Sequence, residues 1–119
     1  MGKSIVGEKS YRFAIRVVNL YKWLCEEKKE YVLSKQLLRS GTAIGALLKE
    51  AEHGQSKADF LNKVNIALKE ANETAYWLML LKDTGYITDK EFDSIIIDAE
   101  EIIKMLVTIV KTTKTRLGK

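Results

Sequence analysis

Proline is absent from all 119 positions of the chain, and along most of its length apolar residues recur every three or four positions, the period of one face of an α-helix. The two features point the same way. Proline breaks helices and marks turns, so a chain without it has little with which to punctuate a turn-rich β fold. The few glycines fall mostly where helices would start, stop or pack closely. The expected fold class is all-α.

Four helical stretches are legible. The first begins near Glu8, carries Phe13, Val17, Leu20 and Leu24 as its apolar stripe, and ends in the charged cluster Glu26–Glu30. Ser34 then offers an N-cap hydroxyl for a second helix running to about His53. Its inward positions are Leu37, Gly41, Ile44, Leu47, Leu48 and Ala51, and Gly54 is placed to take the left-handed conformation that stops a helix. Ser56-Lys57-Ala58-Asp59 reads as a capping box with Asp in place of Glu, opening a third helix with Phe60, Val64, Ala67, Leu68, Ala71, Ala75 and Leu78 inward. Gly85 stops it. Thr88-Asp89-Lys90-Glu91 is a second capping box, opening a fourth helix whose stripe runs from Phe92 to Val110. Asp89, Glu91 and Asp93 at its start and Lys111, Lys114 and Arg116 at its end complement the helix dipole. Short connections force successive helices to alternate in direction. The expected architecture is one domain over residues 1–119, an antiparallel up-down-up-down four-helix bundle.

Two local features ask for more than a bundle surface. Gly41 and Gly45 lie in mid-helix, where each costs about 1 kcal/mol relative to alanine, so they mark a flat face that another backbone approaches. The run Ala75–Leu81 is apolar nearly all round, as expected when more than one helix face is covered, by the bundle or by another subunit.

Groups able to do chemistry are sparse. Glu50-Ala51-Glu52-His53 has the Glu-x-x-His spacing of di-iron bundles, with Glu70 and Glu73 on the next helix. Such a centre needs that motif on two helices, and the chain has a single histidine. A metal-dependent enzyme using Glu50, His53, Glu70 and Glu73 is the weakest of the readings. Cys25, the lone cysteine, reads as a structural residue and cannot form an intrachain disulfide. No phosphate-binding glycine loop, zinc-ligand cluster or nucleophile turn is present, so no catalytic site and no cofactor are expected. The longest apolar run is far short of the roughly 18 residues of a spanning helix. With no signal-peptide pattern at the N-terminus, the expected location is the cytoplasm.

The basic residues remain. Lys and Arg number 20 against 16 Asp and Glu, a net charge of +4. Arg12 and Arg16 lie one turn apart on the first helix, Lys35 and Arg39 one turn apart on the second, and Lys111, Lys114, Arg116 and Lys119 make an acid-free tail. Such residues form a candidate nucleic-acid-binding surface that acts on phosphates, sensitive to salt and weakly selective for sequence. The competing reading is a structural or protein-interaction module whose charges are merely solvated.

The stretch from Ser34 to Ile87, with Arg39-Ser40-Gly41 and Gly45 on the second helix and Lys69-Glu70-Ala71 and Glu73-Thr74 on the third, resembles a bacterial family. This is the family of four-helix bundle proteins named for reading frames in intervening sequences of 23S ribosomal RNA genes. The chain departs from it at Ala43, where the family often has serine, and at Leu47, where it often has asparagine. The resemblance implies no enzyme activity and a ring-shaped homo-oligomer, with pentamers in the family. Related proteins include the accessory variability determinant of diversity-generating retroelements, which partners a reverse transcriptase and binds nucleic acid. The expected partners are therefore further copies of the chain, RNA or DNA, or a protein. The apolar run Ala75–Leu81 and the Gly41/Gly45 face are the expected contacts between copies, and five copies of a +4 chain would carry about +20 in all.

Overall fold

The computed structural model describes residues 4–118 and contains four helices, α1 (Ile5–Glu27), α2 (Leu33–Ala51), α3 (Lys57–Asp83) and α4 (Asp89–Arg116), with no strand among the described residues. Lys119 lies outside them. Each helix packs on its neighbours in a square: α2 on α1 and α3, α4 on α3 and α1, with no close backbone approach across either diagonal among the described residues. The chain measures 48 × 23 × 21 Å. Its long axis is set by α4, whose 28 residues span about 42 Å at 1.5 Å per residue.

The core is the set of inward positions. Phe13, Val17 and Leu24 of α1, Leu37, Ile44 and Leu48 of α2, Val64, Ala71 and Leu78 of α3, and Ile95, Ile102 and Leu106 of α4 are all buried. Gly41 and Gly45 do face a neighbouring helix, α1 of the same chain, Gly41 through the Val17 side chain and Gly45 through the backbone at Ser10. A Cβ on Gly41 would stand 2.7 and 2.8 Å from the two methyls of Val17, and one on Gly45 would meet the Ser10 backbone at 3.6 Å. The face expected at a contact between copies is thus filled by α1. The run Ala75–Leu81 divides: Leu78 and Leu81 are fully buried, while Tyr76 and Met79 remain 58% and 50% exposed.

The helix ends follow the capping chemistry with three departures, at Asp59, at Gly54 and at the start of α2. Thr88 and Glu91 form the complete reciprocal box, and Ser56 accepts the Asp59 amide at 3.0 Å, while Asp59 reaches back to the Gln55 amide instead of Ser56. Gly85 takes φ 84° and ends α3. Gly54 does not adopt a positive φ; its Cβ would lie 3.1 Å from the Ala51 carbonyl, so close approach explains the glycine there. Lys29 is the left-handed residue, at φ 54°, that turns the chain out of α1.

The third departure is at the start of α2. Ser34 lies inside the helix, not at its cap. The N-cap position, Val32, has no side chain able to accept, and the buried Glu30 does the work instead. Its carboxylate accepts the amides of Val32 at 3.1 Å, Leu33 at 3.0 Å and Ser34 at 2.7 Å, and the Ser34 hydroxyl donates to the Glu30 carbonyl at 2.7 Å. Burial pushes the Glu30 carboxyl up, but the amide donations from Leu33, Ser34 and Val32 outweigh it and hold the group below the usual glutamate value.

Two outcomes are expected. Gly41→Ala destabilises by about 1–2 kcal/mol in urea unfolding, because crowding Val17 outweighs the gain in helix propensity. In a Val17→Ala background the same change is neutral or stabilising. Glu30→Gln costs about 1–2 kcal/mol at neutral pH, as expected for a charged cap. Since the folded-state value is depressed, the carboxylate's contribution is fully present above the unfolded glutamate pKa and is lost as pH falls through the lower folded value. Unfolding curves of wild type and E30Q should therefore converge in that acid window and nowhere above it.

Candidate nucleic-acid interface

The seven candidate basic residues do not collect in one patch. Lys35 and Arg39 lie toward the end of the bundle where α2 begins, while Lys111, Lys114 and Arg116 lie at the opposite end, where α4 stops. Arg12 and Arg16 lie between, on the side of α1 that meets α4.

Two of the seven are engaged inside the chain. The Arg16 guanidinium donates to Asp98 at 2.7 Å, to the Ser94 carbonyl at 3.1 Å and to the Ser94 hydroxyl at 2.8 Å, and Lys9 pairs with Glu101 at 3.1 Å beside it. These contacts close the α1–α4 seam, the most thinly packed of the four. Arg39 bridges to α3, pairing with Glu70 at 3.3 Å and with Glu73, whose carboxylate also accepts the Trp77 indole N–H at 3.0 Å. The Trp77 donation, followed by Arg39 and Lys69 and opposed by partial burial, holds the Glu73 carboxyl below its ordinary value.

The other five are exposed and have no ion-pair partner within 4.0 Å among the described residues. Arg12 borders a small polar groove with Lys9, Asp98 and Glu101. Lys111, Lys114 and Arg116 stand on a stretch of α4 that contains no acid beyond Glu101.

The residues weighed as metal ligands are dispersed. Glu50 pairs with Lys63 at 3.1 Å, Glu70 and Glu73 with Arg39, and His53 is exposed in the turn after α2. No cluster of three metal-ligating side chains occurs among the described residues. Cys25, half-buried with its sulfur 3.8 Å from the Ser34 hydroxyl, is at the opposite end of the bundle from His53.

The residues that carry the resemblance on α2 and α3 have packing roles. Arg39 ties to Glu70 and Glu73. Ser40 and Thr74, both fully buried, share a hydrogen bond across 2.9 Å, and the Thr74 hydroxyl also lies 2.7 Å from the Glu70 carbonyl. Gly41 and Gly45 seat α1. The signature is a recipe for docking three helices.

Fold and side-chain usage together define a small helical bundle whose most distinctive residues serve packing and whose remaining charges face outward. The chain belongs to the 23S rRNA-intervening sequence protein family, whose model matches residues 2–108. A solved structure from Bacteroides thetaiotaomicron, a protein of unknown function from the S23 ribosomal protein family, is 61% identical with a TM-score of 0.89; the match covers 90% of this chain and 99% of that one. A comparison with curated proteins finds no match.

The buried hydroxyl pair gives a direct test of the packing role. Thr74→Val leaves the Ser40 hydroxyl with only a long contact to the Leu37 carbonyl, 3.5 Å away, and should cost about 1–2 kcal/mol. Adding Ser40→Ala should cost less than it does alone, since removing both partners of a buried hydrogen bond is nearly neutral. A double-mutant cycle in urea measures this.

Proposed function

We propose that the protein is a non-enzymatic bundle that self-associates and binds nucleic acid through the basic residues its fold leaves free. The charge layout of α4 carries this reading. Its first half holds Asp89, Glu91, Asp93, Asp98, Glu100 and Glu101, and from Ile102 onward it holds only basic charges. Lys111, Lys114 and Arg116 thus present cations with no competing carboxylate on the same turns, which favours phosphate contact. Arg12, midway along the bundle, extends the surface, while Lys35 stands at the opposite end as a separate exposed cation. Arg16 and Arg39 shape the seams and contribute less.

Self-association is supported by apolar side chains the single bundle leaves uncovered, among them Tyr76 and Met79, one turn apart on α3. A modest charge per chain becomes a substantial field when copies assemble.

A second reading, a protein-interaction module, is favoured by the pairing of Arg16 and Arg39 within the chain. Fluorescence anisotropy with labelled RNA and DNA separates the two. Raising salt from about 50 to about 200 mM should weaken binding about 40-fold for three phosphate contacts, and K111Q/K114Q/R116Q should abolish most of the affinity while lowering the unfolding temperature only slightly, through the lost helix-dipole contacts. Unchanged affinity in that variant would remove α4 from the interface, and no binding at low salt would leave the protein-interaction reading. In light scattering, the pair Tyr76→Glu and Met79→Glu should lower the mass toward that of one chain.

A further inference from the structure

The α1–α4 seam, thinly packed and held by Arg16 and Lys9, opens toward the α3–α4 turn into a groove of about 520 Å3. Its floor is apolar, with Leu20, Trp23 and Ile95, and its rim carries Asn19, Arg16 and Lys90. We propose that this groove binds single-stranded nucleic acid, with one base stacked against the Trp23 indole, the Asn19 amide on the base edge, and Lys90 and Lys28 on the flanking phosphates. The inference rests on the nucleic-acid reading above and adds to it a site away from the basic end of α4.

Five observations favour this occupant. The indole is only half-buried, and the Lys28 ammonium stands over its ring, 5.3 Å from the centroid; a stacked base would take that cation's place on the π face and leave it to meet the adjoining phosphate. Asn19 is exposed and makes no side-chain hydrogen bond among the described residues, leaving an amide able to donate and accept at a base edge. Arg16 is fixed by Ser94 and Asp98 and forms a rigid wall. The one carboxylate on the rim, Glu91, is committed to the Thr88 amide at 2.7 Å. The volume lies within the roughly 300–1,000 Å3 of small-ligand sites, enough for a single base and sugar. A duplex, whose bases are stacked inside, cannot use it. The groove therefore confers a preference for single strands that phosphate contacts alone do not give.

The test uses intrinsic fluorescence. The chain has two tryptophans, so a Trp77→Phe background, checked by circular dichroism and by unchanged affinity, leaves Trp23 as the reporter. Short oligo(dT), oligo(rU) and a matched DNA duplex are titrated at low salt. Single strands should quench Trp23, and Trp23→Leu should weaken their binding about tenfold or more while leaving duplex binding unchanged. Asn19→Ala and Lys90→Glu, at exposed positions, should weaken single-strand binding several-fold at an unchanged unfolding temperature, and they decide the matter if W23L fails to fold. Unmoved Trp23 emission with unaltered single-strand affinity in N19A and K90E would overturn the site while leaving the basic-surface reading in place. Failure of the wild-type chain to bind any nucleic acid at low salt would overturn both.

Discussion

The close approach of α1 to α2 at Gly41 and Gly45 is the constraint on which the other contacts depend. At Gly41 the space a side chain would fill is taken by Val17, and at Gly45 the Ser10 backbone lies within van der Waals contact of where a Cβ would stand. Once α1 is seated there, its far side is presented to α4 at a level that lets Arg16 reach Ser94 and Asp98, and Lys9 reach Glu101. The opposite side of α2 is then left to α3, where Ser40 meets Thr74 and Arg39 meets Glu70 and Glu73. A helix-propensity penalty of about 1 kcal/mol per glycine is offset by the packing density it permits across two seams.

Much of this was legible in the chain. The apolar period gave the four helices and nearly every core position, because burial of a stripe is what makes a short helix stable at all. The capping box at Thr88 and the stop at Gly85 were legible because their chemistry is local. The cap of α2 was not, since it comes from Glu30, which precedes the helix and sits in a charged cluster that reads as solvent-facing. Its only sequence signal is a carboxylate a few residues ahead of a stretch with no side-chain cap. The candidate site was less legible than the fold. One-turn spacing placed Arg12 and Arg16, and Lys35 and Arg39, correctly on their helices, but spacing within a helix cannot tell whether a guanidinium points to solvent or to the next helix. Arg16 and Arg39 do the latter, and only the tertiary arrangement decides it.

The same limit applies to Trp23, which is half-buried beside the buried Leu24. It lies where the seam between the first and last helices widens, and the widening depends on how α4 leaves the turn after α3. Its surroundings thus combine residues far apart in sequence, such as Asn19 and Lys90, that no local pattern connects.

The seams also differ in how far along the chain their partners lie. Three of them, α1–α2, α2–α3 and α3–α4, join helices consecutive in sequence, each a hairpin closed by a short turn. The fourth joins Lys9 to Glu101 and Arg16 to Ser94 and Asp98, separations of 92, 78 and 82 residues, and it is polar and thinly packed. Loop-closure entropy grows with separation, and local contacts form first. The bundle is therefore built to assemble as a series of hairpins along the chain, with the α1–α4 contacts closing last as a latch and opening first in native-state fluctuations.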